Sequence, residues 1–381
     1  MKDSTRNILL IIAVIIISIS IFKLQQLNKP ATENISTEEI RATAAVNIEK
    51  SVNGMAYPKA PELAGITNWV NSEPLSIDGL KGKVVLVDFW TYSCINCIRT
   101  LPYLKEWWQK YEDEGFVLIG VHTPEFEFEK DAENVKKATE KYGLTYPVAQ
   151  DNNYGTWLAY QNRYWPRKYL IDKDGYIRYD HIGEGGYDET EAKIVELLNE
   201  MGHNITLEKT NVEGIEEPED ALIVRNYQTP ELYAGYKYAR LPLGNEEGFQ
   251  PEKDALYKLP ATTLRDDVIY LDGRWRNNED NLQYVGEGIG KVVLKFTAKS
   301  VNIVISPLGE NEVDVLLDGA YLTKENAGSD ILFDSKGRSY LMAKDAQLYN
   351  VIGNNNQYGT YIVTFETNSN DFAFNSFTFG S

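Results

Sequence analysis

The only two cysteines of the 381-residue chain, Cys94 and Cys97, are two residues apart and follow an apolar run. Residues 84–90, Val-Val-Leu-Val-Asp-Phe-Trp, have the composition of a buried strand. The cysteines then fall on the first turn of a predicted helix, where positions three apart lie about 5–6 Å apart at Cβ. That spacing suits a disulfide that opens and closes. Because a helix N-terminus favours a thiolate, the pattern assigns attack to Cys94 and resolution to Cys97.

Other uses of a CxxC pair fit this sequence less well. Covalent haem attachment needs a histidine after the second cysteine, and Ile98 stands there. A four-cysteine zinc site needs a second pair, which one chain does not contain. A purely structural disulfide would close a loop so small that it would hardly constrain the unfolded chain. The spacing therefore favours redox chemistry, with a structural disulfide and metal binding as alternatives.

The residues around the pair resemble a known family. Val-Asp-Phe-Trp before the cysteines, with Pro102 five residues after Cys97, resembles thioredoxin. The fuller string over residues 82–97 is similar to the extracytoplasmic TlpA/ResA-like branch, and most of all to the soluble portion of DipZ-type proteins. The resemblance covers about residues 58–203 and implies an α/β thioredoxin-like domain, with the branch's added N-terminal hairpin over residues 58–83. It implies no cofactor or metal besides a redox-active Cys94–Cys97 disulfide.

The resemblance also assigns roles to two acidic residues. Asp88 matches a buried acid that shuttles a proton for the second cysteine, and a carboxylate in an apolar strand should have a raised pKa. The alternative is an Asp at the solvated end of the strand. Glu125 matches a Glu that adjusts the protonation of the cysteines. However, Glu125, Glu127 and Glu129 alternate, as an exposed acidic run would.

A third matched position is a proline. Pro166, in Tyr164-Trp165-Pro166-Arg167, corresponds to the family's cis-proline. A cis bond would place the backbone of Trp165 against the CxxC face, where an extended substrate strand could pair with it. Trp165 and Tyr92 would then line the substrate contact surface. The alternative is an ordinary trans turn.

The N-terminal sequence predicts the cellular compartment of the protein. Residues 7–22 carry no charge and follow Lys2 and Arg6. Their length approaches the ~20 residues that span a bilayer, so we expect residues 1–27 to form a single, uncleaved transmembrane helix. A cleaved signal peptide is the alternative. Either a transmembrane helix or a signal peptide would place the remainder of the chain outside the cytoplasm, in the periplasm or at the cell surface. Residues 28–57 are then expected to form a polar tether.

The overall charge excludes some partners. The chain has 56 acidic against 38 basic residues and a formal net charge of −18. Nucleic acids and anionic lipid surfaces both require a basic face, so neither is an expected ligand.

The C-terminal part has a different pattern. An acidic linker is predicted over residues 204–226, and residues 227–381 then show alternating strands without a long helical pattern, which predicts an all-β sandwich. Residues 230–235 and 271–275 resemble the jelly-roll, carbohydrate-module-like domain that follows the thioredoxin domain in DipZ-type proteins. Glycan binding through Trp275, Tyr233 or Tyr236 is an alternative to a role for these rings in the core or in docking.

These features predict a membrane-tethered thiol–disulfide oxidoreductase that acts on exported proteins, among them apocytochromes. The resemblance favours a reductase, supplied with electrons by a separate CcdA-like membrane partner. A thiol peroxidase is one alternative, since Thr91 lies three residues before Cys94, although Val87 stands where peroxiredoxins carry a proline. A cell-surface binding module, with the β-domain as its active part, is another.

Overall fold

A computed structural model describes residues 48–52, 55–212, 227–353 and 355–380, with backbone alone at residues 48–52 and 55. The chain divides into a short unit, residues 1–59, and a larger unit, residues 60–381. Within the described residues, no helix is long and apolar enough to cross a membrane. The predicted anchor, residues 1–27, lies outside them, as does most of the predicted tether.

The short unit contains two strands where the sequence predicted a tether. β1 (Ile48–Val52) pairs antiparallel with β2 (Met55–Pro58), and Val52 is opposite Met55. The prediction of a tether over residues 28–57 is therefore wrong at its C-terminal end. The Asn-Gly dipeptide at positions 53–54 is typical of a two-residue hairpin turn, so the sequence carries a signal for this pairing.

The first part of the larger unit is a six-stranded sheet in the order β3-β6-β5-β4-β7-β8. β4 and β6 flank β5 in parallel, whereas β3, β7 and β8 run antiparallel to their neighbours. The strands are β3 (Asn68–Val70), β4 (Val84–Trp90), β5 (Phe116–His122), β6 (Val148–Gln150), β7 (Arg167–Ile171) and β8 (Ile177–Ile182). The helices are α1 (Ile95–Tyr111), α2 (Ala132–Lys141), α3 (Gly155–Ala159) and α4 (Tyr187–Glu200). β3 pairs with β6, so the hairpin predicted over residues 58–83 does not form.

β4 is buried along its whole length because apolar layers cover both faces of the sheet. Leu86 and Trp90 point to one layer, which contains residues of α1 and α4. Val87 and Phe89 point to the other layer. Alternation along the strand puts Asp88 on the same face as Leu86 and Trp90, beneath the start of α1.

α1 begins immediately after Cys94 and contains Pro102. A short 3₁₀ turn over Glu112–Glu114 follows it, and Gly115 ends the segment with a φ of 86°. That left-handed backbone suits glycine.

The start of the predicted acidic linker belongs to the α/β domain. Ile205 and Leu207 pack against its core, and the backbone N–H of Thr210 donates to Glu191 at 2.6 Å. The linker prediction is therefore wrong for residues 204–212, because alternating apolar side chains hold that segment down. Residues 213–226 lie outside the described part of the chain.

The C-terminal part is all-β, as predicted. Its 13 strands form one connected sheet, in which β11 pairs with β13 through its first half and with β10 and β12 through its second. The strands are β9 (Leu232–Tyr233), β10 (Asp254–Tyr257), β11 (Ile269–Asn277), β12 (Leu282–Tyr284), β13 (Gly290–Ala298), β14 (Ser300–Ile305), β15 (Asn311–Leu317), β16 (Ala320–Tyr321), β17 (Ile331–Phe333), β18 (Ser339–Ala343), β19 (Gln347–Ile352), β20 (Gly359–Thr367) and β21 (Ala373–Gly380). One large apolar core lies inside this sheet.

Candidate active site

The two cysteines occupy the N-terminus of α1, as their spacing indicated. Cys94 is the N-cap residue, and its Sγ accepts the backbone N–H of Cys97 at 3.4 Å. Both are free thiols; Cys94 is half-buried and Cys97 is only 1% exposed. Burial raises the pKa of the Cys97 thiol well above its usual range, and the adjacent Cys94 sulfur raises it further. Cys94 is therefore the sulfur that a partner can reach, and Cys97 needs help to lose its proton.

Asp88 lies beneath the pair and is fully enclosed, with 1% exposure. Burial raises the pKa of its carboxyl from 3.8 to about 7, against the opposing effect of Lys168. Its Oδ1 finds no hydrogen-bond partner among the described residues. The negative charge of Asp88 contributes to the raised pKa of Cys97. The acid is thus buried and electrostatically coupled to the second cysteine, and the alternative of a solvated strand end is wrong.

Lys168 is a residue that sequence reasoning missed. It is opposite Asp88 in the β4–β7 ladder and is completely buried. Its Nζ donates to the carbonyl of Gly183 at 3.3 Å, and burial lowers its pKa. The sequence gives no local signal for this burial, because β7 is buried at four successive positions, Lys168 to Ile171, and does not alternate.

Tyr92 does not line a contact surface, contrary to the sequence prediction. Its side chain is 2% exposed, and its ring stacks on His122 with centroids 5.5 Å apart. His122 is itself fully buried, and burial lowers its pKa to about 3, so the imidazole is neutral. Tyr92 is a core residue because the loop before Cys94 turns its ring inward against this neutral histidine.

Glu129 holds the loop that precedes Cys94, and it is a second residue that sequence reasoning missed. Its carboxylate is completely buried and accepts the hydroxyl hydrogens of Thr91 and of Ser93, the latter at 2.6 Å. Its other oxygen accepts the backbone N–H groups of Glu125 and Phe126 at 2.6 and 2.9 Å. These bonds tie the cysteine loop to the loop after β5. The alternating acids suggested an exposed run, and only the fold shows that Glu129 points inward.

Glu125 contacts the β-domain. Its Oε1 accepts the hydroxyl hydrogen of Tyr233 at 2.6 Å, and the same hydroxyl is 3.0 Å from Glu231. Burial, followed by the charges of Glu231 and Glu129, raises the pKa of Glu125 to about 8. Glu125 is therefore not part of an exposed run, and its protonation depends on a residue from the second domain.

The peptide bond between Trp165 and Pro166 is cis, the conformation that the resemblance implied. Trp165 is half-buried; its indole N–H donates to the carbonyl of Thr123 at 3.1 Å, and its ring packs on Trp157 with centroids 4.2 Å apart. The Trp165 ring therefore has a fixed position on the edge of the α/β domain.

The β-domain packs on the tip of the cysteine helix. Val304 of β14 and Leu348 of β19 form an apolar cluster with Phe126, and Ile95 and Ile98 pack against it. Ile95 lies between the two cysteines in sequence, and Ile98 follows the second. One side of the CxxC helix tip is therefore covered by β-domain residues.

The three aromatic residues considered for glycan binding have other contacts. Trp275 is fully buried in the β-domain core, and Tyr233 belongs to the interface with the α/β domain. Tyr236 is half-exposed and its hydroxyl donates to Glu252 at 3.0 Å. In the described part of the chain, no group of three or more His, Cys, Asp or Glu side chains is placed to hold a metal ion.

Two family models match the chain in succession. Residues 58–198 match the Redoxin family, and residues 229–380 match a family described as "Thioredoxin like C-terminal domain". The Bacillus subtilis thiol-disulfide oxidoreductase YkuV is 31% identical over 140 residues, which covers 37% of this chain and 94% of YkuV. A solved structure of an oxidised thioredoxin-like protein is 30% identical and covers 38% of this chain and 97% of its own, with a TM-score of 0.35.

The Redoxin match and the YkuV match place the α/β domain in the class of thioredoxin-like thiol-disulfide oxidoreductases. Protein DipZ of Mycobacterium bovis is 39% identical over 272 residues, 71% of this chain. The match covers 38% of DipZ, so this chain spans about two fifths of that relative's length. The chain belongs to the TlpA/ResA/DipZ-like family.

Proposed function

We propose that this chain is a membrane-tethered, extracytoplasmic reductase of protein disulfides that works through Cys94 and Cys97. The observation that carries the proposal is the asymmetry of the pair: Cys94 is reachable at the N-cap of α1, and Cys97 is buried below it with a raised pKa. Two sulfurs with these different environments suit attack by the outer one and resolution by the inner one.

In the first step the thiolate of Cys94 attacks one sulfur of a substrate disulfide. A Cys94–substrate bond forms, the substrate S–S bond breaks, and the second substrate sulfur leaves as a thiolate that takes a proton from solvent. The free N–H groups at the start of α1 stabilise negative charge on Cys94 before the attack. An extended substrate would pair with the backbone beside the cis Trp165–Pro166 bond, with the Trp165 ring next to it.

In the second step Cys97 resolves the mixed disulfide. Asp88 accepts the Cys97 proton, and the Cys97 thiolate attacks the Cys94 sulfur. The Cys94–Cys97 bond forms as the Cys94–substrate bond breaks, and the substrate sulfur leaves as a thiolate that takes a proton from solvent. Because the pKa of Asp88 is about 7, the carboxylate is available as a base near neutral pH. The resemblance assigns Glu125, whose pKa is about 8, the role of adjusting the protonation of the cysteines. The cycle ends with a Cys94–Cys97 disulfide and a reduced substrate.

For repeated turnover, a reductase needs an electron donor that reduces the Cys94–Cys97 disulfide after each cycle. We assign this supply to a separate CcdA-like membrane partner, because the two cysteines are the only thiols of the chain. Residues 1–27 would anchor the protein beside such a partner. Exported proteins with disulfides, apocytochromes among them, are the proposed substrates.

Trapping of mixed disulfides tests the proposal. Cys97→Ala should keep substrates bound to Cys94 as adducts that dithiothreitol releases, and Cys94→Ala should form none. The reduction potential of the Cys94–Cys97 disulfide then shows whether the protein reduces or oxidises its substrates. A value near −270 mV indicates a reductant and one near −120 mV an oxidant. An oxidising value, or adducts on Cys94→Ala, would contradict the proposed role.

A further inference from the structure

An open cleft lies beside the cysteine pair, between the α/β domain and the β-domain. Its volume is about 310 Å³, at the small end of the range for ligand sites. Ile95, Ile98 and Tyr142 line one side; Leu348 and Asp330 are among the residues of the other. Ile95 follows Cys94 in the chain and is the first residue of α1, so the cleft begins beside the N-terminus of that helix, although neither cysteine lines it.

The covering of the helix tip restricts what can approach Cys94 from this side. Val304 and Leu348 of the β-domain are buried in the cluster against which Ile95 and Ile98 pack. A folded partner would need to lay a broad surface over the helix tip, and the β-domain already occupies part of that area. A narrow, flexible segment meets no such obstacle, because it can enter the cleft lengthwise.

The lining of the cleft matches a polypeptide segment. Ile95, Ile98 and Leu348 offer aliphatic contacts for a side chain. Ser329 is exposed and Asp330 is half-exposed, so the opposite rim offers polar groups for backbone amides.

The lining is less suited to a sugar. Sugar sites use an open aromatic face, and the one aromatic residue that lines this cleft is Tyr142. Its hydroxyl donates to the carbonyl of Tyr92 at 3.4 Å, and the Lys141 ammonium lies 5.5 Å from its ring centroid. Of the other aromatic candidates, Trp275 and Tyr233 are buried elsewhere, and Tyr236 does not line this cleft.

We propose that this cleft binds the residues that flank the target cysteine of an extended polypeptide, so that the β-domain selects disulfides in flexible segments. The inference rests on the proposed disulfide exchange at Cys94 and adds the substrate class. The chemistry is unchanged: Cys94 attacks the substrate disulfide, while the neighbouring residues of the substrate lie between Ile95 and Asp330. Disulfides on rigid surfaces of folded proteins are then poor substrates.

Filling the cleft separates substrate selection from chemistry. Ser329→Trp introduces a large ring at an exposed position, and the backbone N–H of Ser329 keeps its bond to Asn350. We expect kcat/KM for a disulfide-bonded, unstructured peptide to fall about tenfold or more, with reduction of the small aromatic disulfide DTNB within about twofold of the native chain. Lys336→Trp, on an exposed turn of the same domain that does not line the cleft, is the matched control and should change neither rate.

The outcomes are distinct. An equal loss with both substrates, or no loss with the peptide, would overturn the cleft assignment; Ser329→Lys provides a second test if the Trp variant misfolds. Inhibition of peptide turnover by an oligosaccharide, in the native chain but not in Ser329→Trp, would assign the cleft to a sugar instead. DTNB turnover that persists in Cys94→Ala would contradict the proposed function itself, independently of the cleft.

Discussion

The α/β domain and the β-domain differ in the kind of polar side chain that they bury. The α/β domain buries acidic and basic groups: Asp88, His122, Glu129, Asp151, Lys168, Asp172 and Glu191. In the described part of the β-domain, the buried polar residues other than tyrosine are all Asn, Ser or Thr. Burying an ionisable group without a partner costs several kcal/mol, so a fold retains one where it is well bonded or where its chemistry is used. The chemistry of this molecule is therefore concentrated in the α/β domain.

Most of the buried carboxylates there have structural partners. Asp151 accepts the backbone N–H groups of Thr156 and Trp157 at 3.2 and 2.8 Å. Glu191 accepts the Tyr111 hydroxyl hydrogen at 2.9 Å. Asp88 differs because its Oδ1 lacks a partner within the described residues. This contrast separates an acid available for proton transfer from acids that hold loops in place.

Substitution of Asp88 should give the largest effect. In Asp88→Asn the base for Cys97 is lost, and we expect resolution of the mixed disulfide to slow about 100-fold at pH 8. In the native chain this step should accelerate as the pH rises through about 7, the pKa of Asp88, and the variant should lose that dependence. Stopped-flow release of a substrate thiol measures the step. Asp113→Asn, at an exposed acid, should retain the native profile.

The same substitution should stabilise the fold. Burial raises the Asp88 pKa from 3.8 to about 7, so the folded state holds a proton that the unfolded state releases between those pH values. The native chain therefore loses stability across this window, and above it the loss amounts to about 4 kcal/mol. Asp88→Asn should be more stable than the native chain by up to that amount at pH 8, and equally stable near pH 3.5. Urea denaturation at both values checks the sign, and a less stable variant at pH 8 would contradict it.

The sequence was sufficient for features that depend on local pattern. The apolar run over residues 84–90 and the CxxC spacing predicted β4, the start of α1 and the position of the cysteines. The β-strand pattern predicted an all-β C-terminal part, in which residues 290–298 and 300–305 form two successive strands. Lys299 separates them, because the chain passes there from the ladder with β20 to the ladder with β21.

The sequence was insufficient for contacts between distant segments. Glu129 is 36 positions from Ser93, whose hydroxyl donates to it, and Lys168 is 80 positions from Asp88, its neighbour in the β4–β7 ladder. Only the order of the strands in the sheet brings these residues together. Tyr92 was wrongly predicted to line a surface because its burial depends on His122, from the next strand. Tyr233 and Glu125 are 108 positions apart in the chain, and the hydrogen bond between them links the two domains. Local patterns carry no information on such pairings.

A third prediction compares two acids on the same short segment. Glu129 is buried and its carboxylate accepts four hydrogen bonds, whereas the Glu127 side chain is 75% exposed beside Lys130. Glu129→Gln replaces one accepting oxygen by a donor, so at least two donors lose their acceptor. We expect a loss of about 2–3 kcal/mol in the free energy of unfolding and slower, less uniform alkylation of Cys94. Glu127→Gln should stay within about 0.5 kcal/mol of the native chain. If both variants lost the same free energy of unfolding, the proposed structural difference between Glu129 and Glu127 would be wrong.

The smallest expected effect concerns the contact between the domains. Tyr233→Phe removes the hydroxyl that donates to Glu125 and leaves the carboxylates of Glu125 and Glu231 facing each other. Because that hydrogen bond lowers the pKa of Glu125, its loss should raise the pKa further above 8. When the pKa of a group is raised in the folded state, the protein loses stability as the pH rises through that pKa. The free energy of unfolding of Tyr233→Phe should therefore be about 1–2 kcal/mol lower than that of the native chain at pH 9 and nearly equal to it at pH 6.

The control for this prediction is an ion pair on the rim of the same contact. Lys137 and Asp345 are 3.9 Å apart, with side chains 65% and 45% exposed. Exposed pairs contribute little because solvent screens them, so Lys137→Ala should change the free energy of unfolding by less than about 0.5 kcal/mol at either pH. If the rim variant lost as much as Tyr233→Phe, general charge attraction would hold the domains together, and Glu125 would not be linked to the β-domain through a specific bond.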